Sequence, residues 1–307
     1  MFDPAVTSAR SDLYHQIREF FRQRDVLEVE VPLLGCGASV DPHMQSMRID
    51  HDGQIRYLQT SPEFFLKRLL CKGSGDIYTI CKAFRAGENG RLHNPEFSLL
   101  EWYRVGLSLE DLIQETLELL MALGVEAAVS QLSYARQFQS VTGLSPHSAT
   151  YSELHELASG HGLVGELDHQ GLLEFVMSTL VEPRLPAGLV VLSDYPACQS
   201  ELAKIREDEN GCQVARRFEI YWDGVELANG YDELTDAAEQ RERFELGSAE
   251  RNIMGLSEIE FDQKFLESVD IGLPECSGVA LGLDRLLMLL MKQERLADSL
   301  CFSWDEL

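Results

Sequence analysis

A chain of 307 residues with 45% hydrophobic content can bury a substantial core, which excludes a disordered or fibrous protein. Its 26 basic and 51 acidic residues leave a net charge of −25, which repels polyanions and argues against a broad nucleic-acid footprint. No stretch approaches the ~18 apolar residues of a membrane span, and Met1-Phe2-Asp3-Pro4 lacks a leader's basic and apolar regions, so an uncleaved, soluble cytoplasmic protein without membrane contact is expected.

Residues 8–25 place Leu13, Ile17, Phe20 and Phe21 at helical spacing after Ser8, which predicts a long amphipathic helix. The alternation from Val26 to Val31 reads as a strand ended by Pro32. Asp76 to Arg85 and Glu96 to Arg104 read as two strands around a polar loop that holds Arg91, His93 and Asn94. Ser108 to Asp111 resembles a capping box opening a helix that runs to Gly124. Helical patterns recur at Tyr151 to Ala158 and Gly171 to Leu180. Strands return at Leu189 to Ser193, then at Arg217 to Trp222 and Val225 to Gly230, which Asp223-Gly224 joins as a two-residue hairpin turn. A charged helix over Ala237 to Met254 precedes a Gly-punctuated strand, Cys276 to Gly282, and the apolar helix Leu283 to Met291. Strands, then helices, then strands predict an α+β fold around an antiparallel sheet.

Seven cysteines (Cys36, Cys71, Cys81, Cys198, Cys212, Cys276, Cys301) show no Cys-x-x-Cys pair and no zinc-like spacing to histidines, and read as reduced thiols. The clusters Lys67-Arg68 to Lys72 and Arg216-Arg217 read either as solvated faces or as a cationic mouth for a nucleotide or an acidic protein.

The hairpin pairs Trp222 with Val225 and Tyr221 with Glu226, so Glu219 shares a face with Glu226. Two carboxylates roughly 7 to 8 Å apart at the backbone can share a divalent ion such as Mg²⁺; a solvated strand face is the plainer alternative. Along the strand Glu96 to Arg104, Phe97, Leu99, Glu101 and Tyr103 lie on one side. That is an aromatic platform for a purine with a carboxylate and a phenol for an ammonium group, or simply a half-buried strand. In Gly278 to Arg285, small residues permit close backbone approach and Arg285 sits near a helix N-terminus, both of which suit phosphate.

Together these pieces resemble the three ordered motifs of class II aminoacyl-tRNA synthetases, in particular the lysyl branch. The first helix and strand to Pro32 look like the first motif, Phe84-Arg85 to Arg104 with His93-Asn94-Pro95-Glu96-Phe97 like the second, and Gly278 to Arg285 like the third. Glu226 to Leu234 resembles the lysyl hairpin segment, and Thr60-Ser61-Pro62-Glu63 agrees as well. The resemblance implies a class II catalytic core: one domain over 1–307, its antiparallel sheet flanked by helices, with a helical insertion at about 107–187. It also implies a homodimer that uses ATP with Mg²⁺. Arg85 and Arg285 would be catalytic, holding the α-phosphate and the distal phosphates respectively. Phe97 would stack on adenine, Asn94, Gly87 and Glu88 would lie against the nucleotide, and Leu227 and Gly282 would complete that site. Glu219 and Glu226 would carry Mg²⁺. Ser61, Glu63, Glu101, Tyr103, Asn229, Glu233 and Ala280 would form the amino-acid pocket, with Glu233 paired to the substrate's side-chain ammonium.

Three departures qualify this. The first motif begins within the first ten residues, so no anticodon-binding domain is expected. The usual glycine in the middle of the third motif is Ala280, whose methyl group alters which lysine isomer fits. The Arg-x-Glu of the second motif reads Arg85-Ala86-Gly87, with a glutamate only at Glu88. A lysyl core of this length is similar to the truncated lysyl-tRNA synthetase paralogues of bacteria. That likeness implies (R)-β-lysine as donor and a lysine side chain of elongation factor P as acceptor, with tRNA not a partner. Two other readings stay open: a free-standing aminoacyl-tRNA synthetase-like enzyme or amino acid:ammonia ligase, and a non-catalytic paralogue acting as a binding module.

Overall fold

The computed structural model describes residues 4–42, 44–257 and 259–307; of the segment inspected for a leader, Met1 to Asp3 lie outside the described residues. Helix α1 spans Pro4–Arg22. It starts ahead of Ser8 because proline, with its fixed φ and no N–H to lose, suits the first helical turn. Val6, Leu13, Ile17, Phe20 and Phe21 form its buried stripe, and Phe21 stacks on Tyr78 and meets Trp102 edge-on. The apolar face of α1 is therefore covered by the chain's own core.

Of the strand expected up to Pro32, only β1, Leu27–Glu28, forms. A small sheet of order β2-β4-β3 follows, which the sequence pattern did not announce: β2 is Leu34–Gly35, β3 Arg48–His51 and β4 Gln54–Leu58. Helix α2, Glu63–Leu70, leads to β5, Ile77–Phe84, and β6, Glu96–Val105, the two strands expected around the polar loop. Helix α3, Leu109–Ala122, is capped by Ser108, whose hydroxyl accepts from the Asp111 backbone N–H. The Asp111 carboxylate accepts a hydrogen bond from the Ser108 hydroxyl, at 2.6 Å, instead of returning to a backbone N–H, so the box is one-sided.

The chain divides into two compact units, one of residues up to Val125 with Glu233–Leu307, the other Glu126–Asp232. The second unit holds β7 (Val129–Ser133), α4 (Tyr134–Thr142), α5 (Tyr151–Gly160), α6 (His169–Val176), β8 (Leu189–Pro196), β9 (Ile205–Glu207), β10 (Gln213–Trp222) and β11 (Val225–Asp232). Thr150 and Glu153 form a reciprocal capping box at α5. The sheet order is β11-β10-β8-β7, with β9 on β10. Tyr134, Phe138, Leu154, Leu172 and Val176 pack onto Val190, Leu192 and Tyr195 of that sheet.

The first unit resumes with α7 (Ala237–Ile253), α8 (Gln263–Gly272), β12 (Cys276–Gly282) and α9 (Leu283–Leu290). Its strands run β1-β5-β6-β12. The fold is α+β: β5–β6, β6–β12, β8–β10, β9–β10 and β10–β11 pair antiparallel, while β1–β5 and β7–β8 pair in parallel. All seven cysteines are free thiols. Among the described residues no helix is long and apolar enough to cross a membrane.

Candidate active site

The first unit carries most of the expected site, with Phe97, Glu101 and Tyr103 on β6 and Ala280 and Gly282 on β12. Glu101 is 2% exposed; Ser61 Oγ donates to its Oε2 at 2.7 Å and the Tyr103 hydroxyl to its Oε1 at 3.0 Å. Burial, helped by the charge of Glu63, raises the Glu101 carboxyl to about 7, against the opposing pull of those two hydroxyls.

Helix α2 begins directly after Pro62, which puts Glu63 and Lys67 one turn apart. Lys67 is wholly buried, its Nζ 2.5 Å from Glu63 Oε1 and 2.6 Å from Glu233 Oε2. Burial alone would lower the lysine's pKa, yet Glu233 and Glu63 together raise it. Burial raises the Glu233 carboxyl, Lys67 opposes that shift, and Glu63 and Glu101 add to it. Glu233, expected as the partner of a substrate ammonium, is thus already paired with an ammonium of its own chain.

Across the β12–β6 ladder Gly278 opposes Tyr103 and Ala280 opposes Glu101. A Cβ at Gly278 would come within 2.3 Å of the Tyr103 ring and 2.6 Å of Glu233 Oε1, so this position admits only glycine. Ala280, two residues along, lies on the same face as Gly278 and directly beside Glu101.

Around the polar loop, the Arg85 guanidinium sits 5.1 Å from the centre of the Phe97 ring. Glu88 is turned toward Arg85, its Oε1 3.9 Å from Nη1. Gly87 adopts φ of +82°, the left-handed region that glycine enters freely, and this turn returns Glu88 to the arginine. Asn94 is engaged by the framework: its amide donates to Glu96 O at 2.6 Å and its carbonyl accepts from Trp304 N at 2.9 Å. Arg285 donates from Nε to Leu92 O at 3.2 Å and lies 2.8 Å from His93 Nε2, so α9 and the loop are joined through it. Gly282 is the N-cap of α9 and carries no side chain to close it. Asp284, 2% exposed, accepts from Arg10 at 2.5 Å and from the Ser98 N–H at 2.7 Å, fixing α9 to α1 and β6.

The second unit carries the expected metal pair. Asp223 and Gly224 have φ of 47° and 79°, the left-handed pair of a tight hairpin turn. Tyr221 pairs with Glu226 and Trp222 with Val225, in the expected register. Ile220 then pairs with Ala228, so the buried Leu227 is an extra residue in a β-bulge. Glu219, opposite Asn229, is 7% exposed and accepts from Arg217 Nη2 at 2.6 Å and from the Tyr221 hydroxyl at 2.5 Å. Burial raises its carboxyl, Arg217 opposes that, and the nearby charge of Glu226 raises it further. Two mutually repelling carboxylates on one strand face, one of them buried, fit a divalent cation. Arg217 Nε also donates to Asn229 Oδ1 at 3.2 Å, and Asn229 donates to the Tyr231 hydroxyl at 3.0 Å.

Sequence reasoning left Lys67 and Arg217 in charged clusters and did not single out Asp284. Lys67 is wholly buried and Arg217 is partly buried. The signals lay in spacing: Lys67 is one helical turn from Glu63, and Arg217 shares a strand face with Glu219.

A family model described as tRNA synthetases class II (D, K and N) matches residues 4–306. The chain is 40% identical to an elongation factor P–(R)-β-lysine ligase of Vibrio atlanticus, over 98% of this chain and 97% of the relative. It is 41% identical to the protein of the same description from Vibrio cholerae, over 94% and 91%, and 40% identical to one from Haemophilus influenzae, over 96% and 94%. With a match along nearly its whole length and these motifs in order, the chain belongs to the class II (D, K and N) tRNA synthetase family.

Proposed function

We propose that this protein is an ATP-dependent ligase that activates (R)-β-lysine as its adenylate and transfers it to a lysine side chain of elongation factor P. The observation that carries this reading is the set Glu63, Glu101 and Glu233, the last two buried, with Ala280 opposite Glu101: three carboxylates around the ammonium of Lys67, and a methyl group where the lysyl branch has glycine. The names of the relatives, similar over almost the full chain, support the same donor and acceptor.

In the first step a carboxylate oxygen of β-lysine attacks the α-phosphorus of ATP, and the bond to the β-phosphate breaks to release diphosphate. Arg85 would neutralise charge at the α-phosphate, Phe97 would stack on adenine and Arg285 would hold the distal phosphates. The carboxylate is already ionised, so this step needs positioning and charge neutralisation and no base. Glu219 and Glu226 would hold Mg²⁺, which supplies positive charge to phosphate oxygens. Ser61, Tyr103 and Glu101 would orient the amino acid by hydrogen bond and charge. In the second step the neutral amine of the acceptor lysine attacks the mixed anhydride carbonyl, an amide forms, AMP leaves, and the amine's proton passes to solvent or phosphate. A homodimer acting in the cytoplasm, where free thiols persist, belongs to the same reading.

The test is ATP-dependent transfer of labelled (R)-β-lysine and α-lysine to purified elongation factor P, to bulk tRNA and to ammonia. Label on the protein with a β-lysine preference is the expected result. Label on tRNA or ammonia alone overturns the acceptor and leaves the adenylate chemistry standing.

A further inference from the structure

Apart from the residues of the candidate active site, the second unit brings together a histidine, a carboxylate and a thiol. We propose that His147, Asp208 and Cys212 form a binding site for a divalent transition-metal ion of the zinc type. One ligand atom from each lies within 4.8 Å of those of the other two.

Two separate chain segments build it. After α4 ends at Gly143 in the left-handed conformation, Ser145 to Ala149 makes a single turn, closed by the Ala149 N–H donating to Ser145 O at 2.8 Å, and His147 projects from that turn. The β9–β10 hairpin supplies the other two ligands at its tip. There Asp208 Oδ1 accepts from the N–H groups of Cys212 and Asn210, both at 2.8 Å, and Gly211 takes a φ of +79°. Those backbone donors, Cys212 first, hold the Asp208 carboxyl below its usual range and tie up Oδ1. The second oxygen has only a long contact, 3.3 Å, from Asn210 Nδ2.

His147 Nε2 is buried and has no hydrogen-bond partner, although buried polar atoms are almost always paired. A buried imidazole nitrogen without a hydrogen-bond partner, on a residue grouped with a carboxylate and a thiol, can be satisfied by a bound cation. Bond lengths of about 2.0–2.3 Å place tetrahedral zinc ligands roughly 3.3–3.8 Å apart, so side-chain rotations of about 1 Å close the set. Nitrogen, oxygen and sulfur donors together favour zinc-type ions over Mg²⁺ or Ca²⁺. His147 and Asp208 both line a cavity of about 420 Å³, wide enough to admit a hydrated ion. Glu207 and Glu209 also line it and favour a cation, while Arg136 is held by Glu209 at 2.9 Å and Arg206 by Asp194 at 3.1 Å.

The probe is Co²⁺ titrated into the reduced, full-length protein. Expected is one equivalent bound, with a thiolate-to-cobalt charge-transfer band and tetrahedral d–d bands, and displacement by Zn²⁺. Cys212→Ser should abolish the charge-transfer band, and His147→Gln should weaken binding by at least about 100-fold, with circular dichroism unchanged. Cys71→Ser, at a thiol outside the cluster, should leave both intact. Absence of the band in the native protein overturns the proposal. Its persistence in Cys212→Ser does the same, and His147→Gln decides independently should the serine variant fail to fold.

Discussion

Lys67 Nζ lies 2.6 Å from Glu233 Oε2, and neither side chain is more than 1% exposed. A buried ammonium held between Glu233 and Glu63 means that the proposed amino-acid pocket contains a cation of its own chain. Three carboxylates around one lysine still leave room for a second positive charge.

Removal of that lysine tests the arrangement. Lys67→Met strands Glu63 and Glu233 with no counter-charge, and a broken buried pair costs about 3–5 kcal/mol. Urea unfolding should show a loss of that size, with a rise in the KM for the amino acid exceeding any fall in kcat. A loss below about 1 kcal/mol is the signature of a solvated pair and would contradict the burial.

Glu101 gives the pocket a pH dependence of known sign. Its carboxyl titrates at about 7 when folded, against 4.5 ordinarily. The folded chain therefore holds a proton that the unfolded chain has lost between those values, so this group's contribution to stability falls as pH rises from 4.5 to about 7. Binding of a substrate ammonium favours the ionised form and moves the other way. The KM for the amino acid should fall by up to about tenfold per unit as pH approaches 7 from below, then level off. Steady-state adenylate formation as a function of pH checks this, and Glu101→Gln should remove the dependence along with most of the affinity. A flat profile in the native enzyme excludes Glu101 from the ammonium site.

Ala280 faces Glu101 across the ladder, so its methyl group bears on the isomer bound. Ala280→Gly should raise kcat/KM for α-lysine relative to (R)-β-lysine by roughly 10-fold or more, the usual worth of one carbon in a fitted pocket. Competition between the two isomers measures it directly. An unchanged ratio means that discrimination arises elsewhere.

Glu226 and Glu219 repel one another on the face of β10 and β11. Glu226→Gln should abolish Mg²⁺-dependent adenylate formation while leaving the circular dichroism spectrum intact. An undiminished rate at saturating Mg²⁺ sinks the metal assignment.

Local physics made much of this legible beforehand. Alternation in Ile77 to Phe84 and Glu96 to Val105 put Phe97, Glu101 and Tyr103 on one face, because side chains along a strand alternate whatever surrounds them. A two-residue turn with two left-handed residues likewise dictated the pairing of Tyr221 with Glu226. The bulge at Leu227 carried no such signature, and neither did the parallel pairing of β1 with β5, whose partners are remote in the chain.

The sequence by itself determined the order of the motifs, the periodicity of most elements and the residue types proposed to meet nucleotide and ammonium. Only the tertiary structure decided that Lys67 is a buried and Arg217 a partly buried ion-pair partner and not a solvated charge. A long cationic side chain looks the same in sequence whether water or protein covers it. Its desolvation is set by the elements packed over it: α2 places Lys67 against Glu233, and β10 places Arg217 beside Glu219.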